Sequence, residues 1–144
     1  MLNWGGAEES VSRAWKVVLS MLGMISVIDD DELVREATGN LLSSEGYLVR
    51  TFASAEEFLQ SPQLHGCACV VADVQMPGMS GVDLLTHMRA QGQNTPFIFI
   101  TAFPEDSVRN RARKAGAVGF LAKPFSAPDL IRYVEVAIRR GDAS

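Results

Sequence analysis

Basic charge, cysteine and long apolar runs are all scarce in this chain of 144 residues. Lysine and arginine number 13 against 17 aspartates and glutamates, so the net charge is −4. Because affinity for duplex DNA comes largely from basic residues that neutralise phosphates, this deficit argues against a DNA-binding chain. Charged residues are 21% and hydrophobic residues 47%, which excludes a disordered, collagen-like or coiled-coil chain and favours one globular domain.

The compartment follows from further absences. The only cysteines, Cys67 and Cys69, lie two residues apart on a predicted strand, where they are poorly placed to bond to each other. They are predicted to be small apolar core residues in a reducing compartment. No run approaches the roughly 18 apolar residues of a membrane span. Glu8 and Glu9 stand where a secretory signal has basic residues, so a cytoplasmic protein is expected.

Residues 1–23 differ in pattern from the rest of the chain. Between residues 10 and 22, apolar residues recur at helical spacing, which predicts an amphipathic helix. These residues are Val11, Ala14, Trp15, Val18, Leu19 and Leu22. Three interpretations stay open: an added helix that packs on the domain, a dimerisation segment, or an artefact of start-site choice with Met24 or Met21 as the natural first residue.

From residue 24 to residue 140, predicted strands and helices alternate in one domain, with a tail at 141–144. The predicted strands are 25–28, 47–52, 67–72, 96–100 and 119–122. Three predicted helices span 32–44, 54–59 and 106–114. A further helix has its core face at 82–88, and the last one begins after Ser126. The first helix is expected to bury Leu33, Val34, Ala37, Leu41 and Leu42. This alternation predicts an α/β fold with a parallel sheet covered by helices on both faces.

Four of the five predicted strands run into polar residues at their carboxyl ends: Asp29 and Asp30, Asp73, Thr101, and Lys123. In a parallel sheet these ends share one edge, where ligands bind. Three carboxylates at one place need a cation, and oxygen ligands point to Mg²⁺ or Mn²⁺. A carboxylate nucleophile, a metal and fixed donors together indicate phosphoryl transfer through an aspartyl phosphate.

Each of these residues also has a purely structural interpretation. The acidic run at 29–31 favours the start of a helix, Asp73 is compatible with a loop acid, Thr101 with a cap and Lys123 with a solvated lysine. Their joint position at one sheet edge favours the functional interpretation.

The pattern resembles the receiver domain of bacterial two-component response regulators, from about residue 24 to residue 138. The motifs that carry the resemblance are VIDDD at 27–31, VADVQMPGMSG at 71–81, ITA at 100–102 and GAVGFLAKPF at 116–125. It implies a doubly wound, flavodoxin-like five-stranded sheet in the order 2-1-3-4-5. The residues around Asp73 and at 97–103 look most like receivers of the nitrogen-fixation regulator type.

The resemblance also implies roles for individual residues. Asp73 is the expected phosphoacceptor, and Thr101 and Lys123 are expected to bind the phosphoryl oxygens. The expected protein ligands of Mg²⁺ are Asp30 directly, Asp29 through water, Asp73, and the backbone carbonyl of Gln75. Thr101 and Phe120 are expected to be the switch residues, which change conformation when the protein is phosphorylated. The peptide bond between Lys123 and Pro124 is expected to be cis. Asp31 is expected to cap the first helix.

The leading hypothesis is a single-domain regulator that a sensor histidine kinase or phosphotransfer protein phosphorylates, and that is not a turnover enzyme. It is expected to bind a protein through the helix at 106–114, the strand at 119–122 and the helix at 127–139. Arg109, Arg111, Arg113 and Lys114 make that face basic, which is also compatible with a solvated helix face. A monomer or a phosphorylation-dependent dimer is expected, without a DNA-binding domain.

Four alternatives stay open. Three share the receiver fold: a phosphorelay intermediate or phosphate sink, the receiver fragment of a longer DNA-binding regulator, and a degenerate receiver that only mediates protein contacts. The fourth is a small phosphatase of the haloacid dehalogenase type, because Asp29 and Asp31 have the spacing of its two aspartates. That alternative leaves Asp73 without a role.

Overall fold

A computed structural model describes residues 24–62 and 66–143, the last four of these by backbone alone. The predicted helix at 10–22 lies outside the described residues. The strands are β1 (Met24–Ile28), β2 (Leu48–Phe52), β3 (Cys69–Asp73), β4 (Phe97–Thr101) and β5 (Gly119–Ala122). The helices are α1 (Glu32–Ser44), α2 (Ala55–Leu59), α3 (Gly81–Ala90), α4 (Asp106–Lys114) and α5 (Ala127–Ala143).

All five strands form one parallel sheet in the order β2-β1-β3-β4-β5. This is the doubly wound order that the resemblance implies. Three registers fix the relative height of four strands. Ile28 pairs with Ala72 between β1 and β3, and Asp73 pairs with Ile100 between β3 and β4. Thr101 pairs with Ala122 between β4 and β5. The carboxyl ends of these four strands therefore finish at nearly one level.

The core has two layers, one on each face of the sheet. On one face, α1 and α5 pack against the strands, with Leu42 of α1 and Leu130 and Val134 of α5 fully buried. On the other face, α2, α3 and α4 contribute residues such as Phe58, Leu85 and Ala112. Strands β3 and β4 are buried along their whole length, as expected for central strands covered on both faces.

Side chains form the helix starts. Asp31 accepts hydrogen bonds from the backbone N–H groups of Leu33 and Val34 and so caps α1, as predicted. Ser80 and Asp83 form a reciprocal capping box at the start of α3. The positive φ of Gly46, just after α1, is the conformation that ends a helix.

Three sequence-based expectations differ from the structure. Leu33 is 78% exposed rather than buried, because it lies in the first turn of α1 beyond the edge of the sheet. Ala37 is also exposed. Strand β2 is an edge strand that leaves Leu48, Arg50 and Thr51 exposed, so it is not buried on both faces. Cys67 precedes β3 and is only partly buried, whereas Cys69 is fully buried, and both thiols are free.

Gly39 marks a close approach between α1 and β2. A Cβ at this buried glycine would lie 3.2 Å from Thr51 Cγ2 and 3.7 Å from Val49 Cγ1. A glycine inside a helix costs about 1 kcal/mol relative to alanine, yet α1 continues through it. The absence of a side chain at Gly39 lets α1 pack closely on β2, which accounts for a glycine inside this helix.

Candidate functional site

The carboxyl-end edge of the sheet carries every residue that the strand-end pattern predicts. Asp29 and Asp30 follow β1, Asp73 ends β3, Thr101 ends β4, and Lys123 follows β5. Asp29, Asp73 and Thr101 are buried, whereas Asp30 is exposed. One oxygen from each of the three aspartates lies within 4.8 Å of one from each of the others.

Lys123 links two of these carboxylates. Its Nζ donates to Asp73 Oδ2 at 2.8 Å and to Asp29 Oδ2 at 3.1 Å. The lysine side chain is 17% exposed, so the two ion pairs are largely shielded from water. The peptide bond between Lys123 and Pro124 is cis.

The second oxygen of each buried carboxylate accepts a backbone hydrogen bond. Asp29 Oδ1 accepts from the N–H of Asp31 at 2.9 Å, and Asp73 Oδ1 accepts from the N–H of Gln75 at 2.9 Å. These Asx-type contacts fix the orientation of both carboxylates relative to the loops that follow β1 and β3.

Burial and the ion pairs oppose each other in setting the charge of the site. Burial raises the pKa of Asp29, with a smaller contribution from the negative charge of Asp73, against the lowering effects of its bonds to Asp31 and Lys123. For Lys123, burial alone would lower the pKa, but the hydrogen bonds and charges of Asp73 and Asp29 outweigh it and raise the pKa. The lysine therefore stays cationic.

The donor set fits a hard divalent cation. Three carboxylates converge on one place. In the part of the chain that the structure describes, Lys123 pairs with Asp29 and Asp73, and Asp30 has no ion pair. Oxygen-only ligands of this kind suit Mg²⁺, which takes a few carboxylates and keeps several waters. The exposure of Asp30 leaves the cluster open to solvent on that side.

Thr101 and Phe120 lie on the side of the site nearest α4. The buried Thr101 Oγ1 accepts a hydrogen bond from the N–H of Phe103 at 3.1 Å. Phe120 is half-buried, and the guanidinium of Arg109 on α4 lies over its ring at 5.2 Å from the centroid. The Nε of Arg109 is buried without a hydrogen-bond partner among the described residues.

Three contacts that support the site carry no signal in the sequence. Arg35 Nη1 donates to the carbonyl of Asp29 at 2.7 Å. Glu56 of α2 accepts from the N–H of Met79 at 3.1 Å and so ties down the loop after β3. At Gly81, a Cβ would meet the carbonyl oxygen of Asp73 and would lie 2.9 Å from Phe99 Cε1, so only glycine lets α3 start this close to Asp73.

Comparison with known proteins decides the family. The sequence profile described as response regulator receiver domain matches residues 25–135. The chain belongs to the response regulator receiver family. As a family, receiver domains take a phosphoryl group from histidine kinases, bind Mg²⁺ in an acidic pocket and act as signalling domains rather than as turnover enzymes.

Individual relatives are regulators of greater length. This receiver is 40% identical over 120 residues to the transcriptional regulatory protein FixJ of Bradyrhizobium diazoefficiens, covering 83% of this chain and 58% of the relative. It is 39% identical over 136 residues to nodulation protein W of the same organism, covering 94% and 56%. The chain thus spans a little over half the length of these relatives.

Solved structures confirm the fold. The crystal structure of FixJ-N matches with a TM-score of 0.75 and 36% identity, over 81% of this chain and 94% of that one. A receiver domain protein from Clostridium thermocellum matches with a TM-score of 0.79 and 30% identity, over 85% of this chain and 98% of that one.

Among the described residues, no helix is both long and apolar enough to span a membrane.

Proposed function

We propose that Asp73 of this receiver accepts a phosphoryl group from a histidine kinase or phosphotransfer protein, in a reaction that depends on Mg²⁺. The observation that carries the proposal is the arrangement of Asp73, which lies in ion-pair contact with Lys123 and within 4.8 Å of the carboxylates of Asp29 and Asp30. The carboxylate of Asp73 thus lies next to the ammonium group of Lys123 and next to the carboxylates that would hold Mg²⁺.

In the proposed step, an Oδ atom of Asp73 attacks the phosphorus of the donor. The bond between phosphorus and the donor breaks, its electron pair leaves with the donor, and an acyl phosphate forms on Asp73. Lys123 Nζ would bind a phosphoryl oxygen, and its contact with Asp73 Oδ2 at 2.8 Å supports this role. Thr101, at the end of the neighbouring strand, supplies a hydroxyl for another.

Mg²⁺ would be held by Asp30, by Asp29 through water, by Asp73 and by the backbone carbonyl of Gln75. When bound, the ion neutralises negative charge that builds up between the carboxylates and the phosphoryl group. The supporting observation is the surplus of carboxylates over ammonium groups in the cluster.

The proposed output is a phosphorylation-dependent protein-binding face formed by α4, β5 and α5. Thr101 and Phe120 would transmit the change, since Phe99 and Phe120 pair in register two steps from the pair of Thr101 and Ala122. A cavity of about 320 Å³ opens on this face, with Phe120, Arg109, Arg113 and Tyr133 in its lining. Arg111 and Lys114 are exposed on the same helix and make the face attractive to an acidic partner.

The experiment is intact mass spectrometry after incubation with Mg²⁺ and acetyl phosphate. One added phosphoryl group is expected in the parent protein and none in Asp73→Asn. Asp31→Asn is the matched control, because Asp31 lies next to the site, and asparagine caps a helix as well as aspartate does. An adduct that persists in Asp73→Asn, or that Asp31→Asn abolishes, would contradict the proposed role of Asp73.

One observation favours a related candidate. Since the chain spans 58% and 56% of FixJ and nodulation protein W, it corresponds to the receiver portion of longer regulators. The same site would then serve a DNA-binding output, a relay or a phosphate sink. Adding purified candidate phosphotransfer proteins to the phosphorylated chain separates a relay, which passes the group on, from a terminal acceptor, which loses it only to water.

A further inference from the structure

The loop of residues 74–80, which leads from β3 into α3, directly follows the proposed phosphoacceptor. Its two ends are joined, since the N–H of Gly81 donates to the carbonyl of Val74 at 2.9 Å. At its start, the N–H of Gln75 donates to Asp73 Oδ1 at 2.9 Å. The carbonyl of Gln75 is a Mg²⁺ ligand in the proposed function. Because this carbonyl belongs to the backbone, no side-chain rotation can aim it, and its position depends on what holds the loop.

The middle of this loop is held from two sides. The buried side chain of Met76 packs in the core layer on the face covered by α2, α3 and α4. The N–H of Met79 donates to Glu56 Oε2 at 3.1 Å. In the part of the chain that the structure describes, this is the only hydrogen bond that residues 76–79 make. The contact with Glu56 therefore limits backbone freedom that the loop itself does not restrict.

Glu56 reaches the loop from α2, and the loop leaves room for it. Its neighbour Glu57 serves the helix itself, since it accepts from the N–H of Ala53 at 3.1 Å and donates its own N–H to Ser54 Oγ. On the loop side, Gly78 has a φ of 78°, and a Cβ there would lie 2.7 Å from Glu56 Oε2. A glycine at this position thus lets the carboxylate approach the loop backbone.

We propose that Glu56 is a positioning residue that sets the affinity of the site for Mg²⁺, by holding the loop that carries the Gln75 carbonyl. This inference rests on the proposed function, which makes that carbonyl a ligand. A loop that is held before the ion arrives has less conformational freedom to lose on binding, so the ion binds more tightly. Bound Mg²⁺ restrains the carbonyl directly, so the contact with Glu56 matters little once the site is saturated.

Removal of the contact is expected to weaken Mg²⁺ binding and to leave the phosphorylation rate at saturating Mg²⁺ unchanged. In Glu56→Ala, the dissociation constant for Mg²⁺ from calorimetry of the unphosphorylated protein should rise about three- to tenfold, as expected for loss of one supporting hydrogen bond. The Mg²⁺ concentration that gives half-maximal phosphorylation by acetyl phosphate should rise by the same factor. Hydrogen exchange of the Met79 amide, measured by NMR without metal, should become several-fold faster and so verify that the bond is lost.

Two further variants separate the hydrogen bond from the charge. Glu56→Gln keeps the length and an acceptor oxygen but loses the charge, and its Mg²⁺ affinity should stay close to that of the parent protein. Glu56→Asp keeps the charge but is one methylene shorter, and should behave like Glu56→Ala. Glu57→Ala is the matched control, because it weakens the start of α2 without touching the loop, and it should leave Mg²⁺ binding unchanged. Both glutamates are exposed, so all four variants are expected to fold, which far-UV circular dichroism checks.

Three results would overturn the proposal. The first is an unchanged Mg²⁺ affinity in both Glu56→Ala and Glu56→Asp. The second is a loss of affinity in Glu56→Gln with none in Glu56→Asp, which would show that the charge acts rather than the hydrogen bond. The third is an equal loss in Glu57→Ala, which would show that the stability of α2 is what matters.

Calorimetry also separates this proposal from the proposed phosphoacceptor role. A parent protein that binds Mg²⁺ but takes up no phosphoryl group would contradict the role of Asp73, while the comparison of Mg²⁺ affinities would still decide the role of Glu56. A parent protein that binds no Mg²⁺ would contradict the metal site, and the role of Glu56 with it.

Discussion

At the scale of single residues, Lys123 is the group on which the charge balance of the site depends. Within residues 24–62 and 66–139 it is the only lysine in contact with the carboxylate cluster, and its Nζ contacts two of the three aspartates. With the lysine in place, a metal ion entering the site meets a cation already there. In the proposed site, Lys123 would therefore oppose metal binding while it provides a donor for phosphoryl oxygens.

Replacing Lys123 with alanine is expected to tighten Mg²⁺ binding and to slow phosphorylation. Removal of a positive charge a few ångströms from the metal ligands is expected to raise the affinity on the order of tenfold, from Coulomb energies of ~1–4 kcal/mol at such distances. Isothermal titration calorimetry with Mg²⁺ measures the affinity, and intact mass with acetyl phosphate measures the rate. Lys114→Ala removes an exposed lysine on α4 and should change neither. Weaker Mg²⁺ binding in Lys123→Ala would contradict this charge balance.

The two thiols provide a second residue-scale prediction. Burial raises the pKa of Cys67 to about 11 and raises that of Cys69 further. Since the thiolate is the reactive form, a raised pKa means less thiolate at a given pH, and alkylation of Cys67 at pH 8 should be about 100-fold slower than for an ordinary thiol. Timed iodoacetamide labelling followed by peptide mapping tests this, with the unfolded protein as the reference. Labelling of the native protein at the unfolded rate would show that the thiols are accessible.

The sequence predicts that the polar residues after the strands share one edge of the sheet. It does not predict which residues at the start of a helix are buried. Asp29, Asp73, Thr101 and Lys123 follow apolar runs, so their place at one edge follows from the parallel topology. Leu33 fits the helical period of α1, but periodicity says nothing of where the sheet stops beneath a helix. The support from Arg35 and Glu56 depends on long side chains that cross between elements, which no spacing in the sequence reveals.

At the scale of elements, the start of α3 is packed against the end of β3, where Asp73 lies. The N–H of Gly81 donates to the carbonyl of Val74 at 2.9 Å, and Ser80 and Asp83 cap the same helix. The helix therefore begins against the backbone that follows β3. A shift of α3 is therefore expected to disturb the backbone next to Asp73.

Gly81→Ala is expected to disturb both stability and the site. The new Cβ would meet the Asp73 carbonyl oxygen and the Phe99 ring, and neither backbone nor a buried ring gives way easily. Overpacking of this kind costs about 1–3 kcal/mol in the free energy of unfolding. Gly66→Ala is the matched control, because a Cβ there meets no atom of the described residues within 4 Å. Urea denaturation of the two variants gives the comparison, and equal stability would mean that α3 shifts without cost.

The sequence predicts which strands exist and in what order they follow one another. It predicts less well the residues at which each strand begins and ends. The five strands predicted from the sequence are the five strands of the structure, and their ends agree to within two residues. β3 starts at Cys69 rather than at residue 67, since Cys67 lies ahead of the pairing with β1 that begins at Ile25 and Cys69. Apolar composition marks where a strand is buried, but hydrogen-bond pairing decides where it begins.

At the scale of the whole molecule, burial is concentrated in the middle of the sheet. β3 and β4 are buried at every residue, whereas β2 is an edge strand with three exposed positions. Local opening of an edge strand breaks pairing with one neighbour, and opening of a central strand breaks pairing with two.

Hydrogen–deuterium exchange is therefore expected to separate the strands. Backbone amides of β3 and β4 should exchange only through global unfolding, so their rates should rise together with added denaturant. Amides of β2 should exchange faster and depend less on denaturant, because they open locally. Mass spectrometry of pepsin fragments resolves the two classes. Equal protection across β2, β3 and β4 would show that the sheet opens as one unit.

The ion pairs of Lys123 have a consequence for the order in which the protein is made. Lys123 follows Asp73 by 50 residues and Asp29 by 94 residues along the chain. A ribosome that has released β1 and β3 has exposed two aspartates whose counter-charge is not yet synthesised. Only when β5 emerges does the lysine arrive to join the first and third strands. A chain that terminates early, before residue 123, keeps its acidic residues but lacks the cation that links them, so unfinished copies cannot mimic the finished site.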